Sequence, residues 1–232
     1  MNYFVYDGAV SLDYGVAVAD GNKFDAPKRS VEELVIPGRN GTLTIDNGRF
    51  ENFIMSYHVY ARGDILKKLA EFKSRLMCTR GYRRLEDTFY PEMYRLAKFI
   101  DVFEVVKSDR FGAAFDIRFD CMPQRFFKHG EIPLPIINGG VLHNETLFAA
   151  LPLIRVYGTS GTLYIGSTVC QLISINEYVD LDSETQNAYK GTANCNMNVY
   201  IPEFPVLDPG MTSIHWEGEI KQVRITPRWW TI

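Results

Sequence analysis

The chain has 232 residues, of which 46% are hydrophobic and 23% charged, a globular composition that excludes intrinsic disorder and allows one large or two modest domains. A formal charge of −3 excludes the strongly basic field of a dedicated nucleic-acid binder. Aromatic residues make up 13% of the chain and favour sheet.

The near-neutral total hides an asymmetry. Residues 1–130 hold 20 Lys/Arg against 18 Asp/Glu, which leaves 5 against 10 for residues 131–232. Two domains with different surfaces are expected. The four cysteines, Cys78, Cys121, Cys170 and Cys195, are scattered without C-x-x-C spacing. Zinc is therefore not expected, and buried free thiols in a reducing cytosol are. Residues 1–14 carry Asp7 and Asp13 and lack a basic start and an apolar run, so no signal peptide is expected. The longest uncharged stretch, 156–176, is broken by Gly158, Gly161 and Gly166 and reads as strands and turns rather than a membrane span.

In chain order, residues 3–5 and 12–18 read as short strands around the turn signal Asp7-Gly8. A strand at 31–36 leads into Pro37-Gly38-Arg39-Asn40-Gly41, where Pro presets φ, Gly38 accepts positive φ and Asn40-Gly41 favours a type I′ hairpin turn. Residues 42–45 alternate, Asp46-Asn47-Gly48 reads as another turn, and 50–60 as strand. The spacing matches neither phosphate-loop nor dinucleotide fingerprint, so the loop is expected to be structural.

One helix is predicted near 64–79. Asp64 can cap it, and Ile65, Leu66, Leu69, Phe72 and Leu76 form its apolar stripe. Gly81 follows the basic last turn. Residues 62–84 carry eight basic side chains against Asp64 and Glu71, which reads as a solvated helix face or as an anion or partner surface. Strands are expected again at 97–107 and 111–121, joined by a turn at 108–110. In the second, Ala113, Phe115, Ile117 and Phe119 alternate with Ala114, Asp116, Arg118 and Asp120, so one face is buried and the other wet. Residues 122–138, with Pro123, Pro133, Pro135 and then Gly139-Gly140, read as irregular. The expected division is a first domain over 1–130, a linker over 131–139 and a second domain over 140–232.

The second part reads as short strands at 152–157, 162–165, 168–175 and 178–182, turning at 158–161, 166–167 and 176–177. A loop at 204–210 precedes a closing hairpin of 211–216 and 220–226 around Glu217-Gly218-Glu219. Strands at this spacing without helices indicate a sandwich or barrel.

Few residues suggest chemistry. Asp180, Asp182 and Glu184 could do acid–base work or bind a cation, but no further ligands follow at calcium-loop spacing, and a wet strand edge accounts for them. His58, His129, His143 and His215 stand alone, with no zinc motif or nucleophile elbow. Trp216, Trp229 and Trp230 could stack on a sugar; core packing is the simpler role. No catalytic, cofactor-binding or metal residue is assigned, and no cofactor is expected.

Particular residues allow a further step. Pro37-Gly38-Arg39-Asn40-Gly41 resembles the signature loop of the distal tail proteins of long-tailed, non-contractile (siphovirus) bacteriophages. The opening run Phe4-Val5-Tyr6-Asp7-Gly8, with Tyr14-Gly15 after it, is similar to that family's start. In the same order follow Val156-Tyr157-Gly158, then residues 178–184 with Tyr189. Next come Phe204-Pro205 with Leu207 and Pro209-Gly210, and finally Pro227-Arg228-Trp229-Trp230.

The resemblance implies a mainly β protein of two domains: an N-terminal tail-tube-like β-sandwich with one α-helix, and a C-terminal galectin-like β-sandwich. It also implies a non-enzymatic tail-tip or baseplate hub in the virion, assembled in the host cytoplasm. The first domain would close a homo-hexameric ring between the tail tube protein and the tail-associated fibre or lysin protein. The second would anchor receptor-binding proteins, and DNA would pass through the ring without sequence-specific binding and without any membrane partner. No carbohydrate-binding module is inserted between Gly158 and Tyr200, so direct wall binding is not implied. A carbohydrate-binding adhesion protein and a wall-degrading enzyme using Asp180, Asp182 or Glu184 remain alternatives.

Overall fold

The computed structural model describes residues 1–19, 25–62, 65–100, 107–108 and 112–232. They are mainly β with one α-helix, and they form two compact units, Met1–Arg125 with Ile232, and Phe126–Thr231.

The first unit contains β1 (Phe4–Tyr6), β2 (Ala9–Val10), β3 (Val16–Val18), β4 (Arg29–Val35), β5 (Thr42–Phe50) and β6 (Phe53–Arg62). After α1 (Ile65–Cys78) come β7 (Arg83–Asp87), β8 (Met93–Phe99), β9 (Lys107–Ser108) and β10 (Gly112–Phe127). The main sheet runs in the order β2-β1-β7-β8-β10-β6-β3, while among the described residues β4 and β5 pair only with each other. Asp7-Gly8 is a two-residue hairpin turn with φ of 48° and 80°, the type I′ geometry that suits strand twist. Residues 12–14, the start of the strand expected over 12–18, belong instead to a 3-10 turn, Ser11–Tyr14, that ends at Gly15 with φ of 73°.

The alternation expected in β10 is present. Ala113, Phe115, Ile117 and Phe119 are buried against β6, in register from Gly112–Arg62 to Cys121–Phe53. Phe4 stacks on Tyr57 at 5.0 Å and meets Phe119 edge-on at 5.6 Å. Leu69, Phe72 and Leu76 of α1 close the same core. Asp64, expected to cap the helix, the stripe side chains Ile65 and Leu66, and residues 109–110, expected to turn, lie outside the described residues.

The second unit contains β11 (Leu134–Ile136), β12 (Gly140–Asn144), β13 (Leu153–Ile165), β14 (Thr168–Leu172), β15 (Tyr178–Asp182) and β16 (Asn187–Lys190). They are followed by β17 (Ala193–Asn194), β18 (Val199–Tyr200), β19 (Gly210–Thr226) and β20 (Trp230–Thr231). The strand order β11-β19-β13-β15-β16-β17 forms one sheet, with β12 on β19, β14 on β13 and β18 on β14. Ile154, Val156, Leu163, Ile165, Val223 and Ile225 fill its core.

Several turn signals lie inside strands. Residues 158–161 and 217–219 are not hairpin turns but facing irregularities of the long strands β13 and β19, where Gly161 is paired with Gly218 and the register shifts. The glycines are there because the backbones meet. A Cβ on Gly158 or Gly161 would stand 2.3 Å from the carbonyl oxygens of Glu219 and Glu217, at φ of 157° and 147°. Asp46-Asn47-Gly48 likewise sits within β5 as a bulge opposite Arg29 to Val31. Strand β10 continues through Pro123 to Phe127, because pairing with β6 ends at Cys121 and Pro123 then owes that neighbour no N–H. Part of the stretch expected as linker is ordered too: Leu134–Ile136 pairs with Ile225–Val223.

Gly161→Ala should lower stability by roughly 1–3 kcal/mol or more, the strain of a disfavoured backbone region plus the clash. Gly191→Ala, at φ of 60° with open space around it, carries the strain alone and should cost less. Equal losses in denaturant unfolding would show that the close approach does not matter.

Candidate functional site

The loop 36–41 joins β4 to β5 and closes on the pair Val35–Thr42. The Arg39 N–H donates to the Ile36 carbonyl at 3.1 Å, with Pro37 and Gly38, at φ of 81°, between them. That is a type II turn, in which Pro presets the first corner and Gly supplies positive φ at the second. The expected type I′ turn at Asn40-Gly41 is absent: Gly41 has φ of 81° but Asn40 has no positive φ. All five signature residues are exposed. Cross-strand partners share a face, so Leu34, Leu43, Ile45 and Glu32 stand together, and the first three are 41–49% exposed. Below them the Asp46 carboxyl is held below its usual range by the Gly48 N–H and then by Arg29.

The basic face of α1 is partly engaged within the unit. Arg75 Nη2 donates to the Asp7 carbonyl at 2.7 Å and Lys68 Nζ to that of Asp13 at 3.4 Å, while Lys67 and Lys73 are exposed.

In the second unit, the carboxylates singled out by sequence are clamped by arginines. Arg155 Nε and Nη2 donate to Asp180 at 2.6 and 2.7 Å, and this hydrogen bond is the main cause that raises the Arg155 guanidinium pKa. Arg228 Nη1 donates to Asp182 at 2.7 Å and lies 3.2 Å from Glu184. Asp180 and Asp182 are buried. Burial pushes the Asp182 carboxyl up, but Arg228 and the backbone N–H groups of Glu184 and Thr185 outweigh it and hold it below the usual carboxylate range. Each of the two carboxylates is thus neutralised by its own arginine.

Arg228 has φ of 58°, an unfavourable region for a non-glycine residue. It is held there by its N–H to the Gly130 carbonyl at 2.8 Å and by Asp182. Pro227 and Trp229 beside it are buried in the core. Phe204 packs on that core, Pro205 and Leu207 are buried, and Gly210 takes φ of 95°. Asn144 Nδ2 donates to the Leu207 carbonyl at 2.9 Å.

The tryptophan N–H groups are engaged as well: Trp216 Nε1 donates to Ile220 and Trp230 Nε1 to Ala149, with Trp230 stacked on Phe148 at 4.4 Å. A cleft of about 570 Å³ is lined by Phe127, His129, His143, Glu145 and Trp229 among others. His58 pairs with Asp116 at 2.7 Å on an exposed face. Only two of the four cysteines are buried: burial pushes Cys121 and Cys170 up to about 12, while Cys78 is exposed and Cys195 half-exposed. Among the described residues no group of three His, Cys, Asp or Glu could hold a metal, and no helix is long and apolar enough to cross a membrane. Sequence reasoning passed over two buried cations, Arg95 and Arg125. The available signal was Arg95 falling on the inward period of β8 beside Ala97.

No family model matches the sequence, and no curated protein does. Among solved structures, the chain is similar to the crystal structure of SPP1 Dit (gp 19.1). That protein is described as a paradigm of the hub adsorption apparatus in phages infecting Gram-positive bacteria. The likeness covers 100% of both chains at a TM-score of 0.76 and 13% identity. The fold is therefore shared with a phage hub protein, and the motif resemblance and the fold agree.

Asp182→Asn should destabilise the second unit by about 2–4 kcal/mol at pH 7, since it leaves Arg228 without its buried partner. The folded-state pKa of Asp182 is depressed, so its contribution is present above the unfolded value near about 4 and is lost as pH falls through the folded one. Melting curves of wild type and variant should converge below that range. A gap independent of pH would contradict the ion-pair account.

Proposed function

We propose that this chain is a phage distal tail protein, the structural hub of a long non-contractile tail tip. The observation that carries the reading is the full-length likeness to the SPP1 hub protein, in a chain whose family-like motifs run in the same order from Phe4 to Trp230. On this reading the first unit is a tail-tube-like β-sandwich that closes a homo-hexameric ring. The ring joins the tail tube protein to the tail-associated fibre or lysin protein and lets DNA pass. The second unit is a galectin-like β-sandwich that anchors receptor-binding proteins. The chain acts in the virion without catalysing a reaction.

The β4–β5 hairpin supports the ring. Among the described residues it pairs with neither larger sheet, and an isolated two-stranded hairpin is marginal in water. Its face of Leu34, Leu43 and Ile45 gains by being covered, and a head-to-tail contact between identical subunits closes a ring when its rotation allows. The Pro37-Gly38 turn fixes the tip of that hairpin, which gives the signature a role in assembly rather than chemistry. The carbohydrate-binding alternative has the weaker footing, because the Trp216 and Trp230 N–H groups are tied to carbonyls and Trp229 is buried.

Native mass measurement should find a particle six times the mass of the 26.6 kDa chain, either alone or on addition of the tube or fibre protein. Leu43→Asp should abolish that particle while changing monomer stability by no more than about 0.5 kcal/mol, as expected for an exposed site. A monomer or two-fold dimer under every condition would overturn the ring, and a saturable response on glycan arrays would then favour the adhesion reading.

A further inference from the structure

The first unit buries the guanidinium of Arg95 without a carboxylate partner and places Arg125 beside the same cavity. Arg95, on β8, is 3% exposed. Its Nη1 donates to the Pro123 carbonyl at 2.9 Å and its guanidinium carbon stands 4.9 Å from the Phe53 ring centre. Its Nε and Nη2 have no hydrogen-bond partner. Arg125, near the end of β10, is 9% exposed, and its guanidinium carbon lies 3.7 Å from the centre of the Tyr90 ring. Among the described residues that guanidinium has no hydrogen-bond or ion-pair partner.

Both arginines line a cavity of about 10 Å³, together with Met55, Leu85, Asp87 and Tyr90. Asp87 does not pair with either. Its Oδ2 accepts the Tyr57 hydroxyl at 2.8 Å, and its Oδ1 accepts the N–H groups of Phe89 and Tyr90, both at 3.0 Å. Burial, and then the positive charge of Arg125, bring the Arg95 guanidinium down to about 10, with Asp87 opposing more weakly. Arg95 therefore stays charged at neutral pH. Two cations face one carboxylate whose oxygens are already engaged.

We propose that this cavity binds a single halide ion, chloride under ordinary conditions, held by the guanidinium groups of Arg95 and Arg125. Size suits a monatomic ligand: about 10 Å³ is the room of one water-sized body. Charge selects it further. A water accepts two hydrogen bonds but leaves the excess positive charge uncompensated, and an uncompensated buried charge is costly. A halide accepts from several N–H donors and offsets that charge. The apolar walls of Met55 and Leu85 offer no competing donors. The site lies in the unit assigned above to the ring but rests on the geometry of that unit alone, not on the ring.

The test is to melt the full-length protein in sodium chloride or bromide and in sodium gluconate at matched ionic strength. Crystals grown in bromide would be examined by anomalous diffraction. The melting temperature should rise by roughly 3–6 °C for each tenfold increase of halide above its Kd, and not with gluconate. Bromide should appear within hydrogen-bonding distance of both arginines. Arg125→Met should remove the peak and the halide dependence; if that variant does not fold, the wild-type comparison of halide with gluconate decides. Identical melting in all three salts, a water in the cavity at high bromide, or a bromide peak without any stabilisation (an adventitious ion only) would each overturn the proposal.

Discussion

The inward face of β10 is the constraint on which the first unit depends. Phe115, Ile117 and Phe119 present one continuous apolar surface, and β6, β1 and α1 are all positioned by packing on it. Burying side chains of this size stabilises by about 1.5–3 kcal/mol each, far more than any surface ion pair in the unit contributes. The aromatic members do more than fill space. Tyr57 lies in the same cluster with its hydroxyl on Asp87, and burial raises its pKa well above the ordinary value. The hydroxyl thus stays a donor and holds Asp87 in place. The cost falls on Arg95 and Arg125, which share that region without a free carboxylate.

Charge is handled differently in the second unit. Its two buried carboxylates are matched one to one, Arg155 with Asp180 and Arg228 with Asp182, and the exposed Glu184 also lies beside Arg228. Each clamp ties strands distant in sequence, Arg155 across the β13–β15 register and Arg228 back to the end of β15. Acidic residues that resemble a catalytic pair in sequence are in this way structural in space. Nothing in the spacing of Asp180 and Asp182 could have revealed this, because their partners lie 25 and 46 residues away.

What could be read from sequence follows from how local each signal is. The helix was legible at 64–79 against Ile65–Cys78 observed, because its apolar stripe repeats over several turns. Alternation located β10, and Asp7-Gly8 and Gly166-Ser167 were legible as tight turns because their strands are adjacent. Glycine-rich stretches misled wherever glycine serves close approach rather than reversal. Residues 158–161 and 217–219 each look like a hairpin, yet they face one another inside two long strands. A sequence read alone shows the need for glycine at each place but not that each is the reason for the other. Pro123 misled in the same way, since its lack of an N–H matters only if a neighbouring strand asks for one.

This distinction bears on how a chain can share a fold at 13% identity. Of the motif residues that resemble distal tail proteins, Gly38, Gly41, Gly210 and Arg228 all sit at positive φ, and Gly158 sits where a side chain would strike the facing backbone. Pro37 and Pro205 fix the chain at a turn and within a buried crossing loop. Each of these residues satisfies a backbone requirement that few residue types meet. Core positions, by contrast, ask only for an apolar side chain of suitable volume and tolerate many sequences. A fold held by a few special backbone positions and a permissive core can therefore lose most identity and keep its shape. What the sequence then carries is a sparse record of turns and close approaches, which marks the fold rather than any one site.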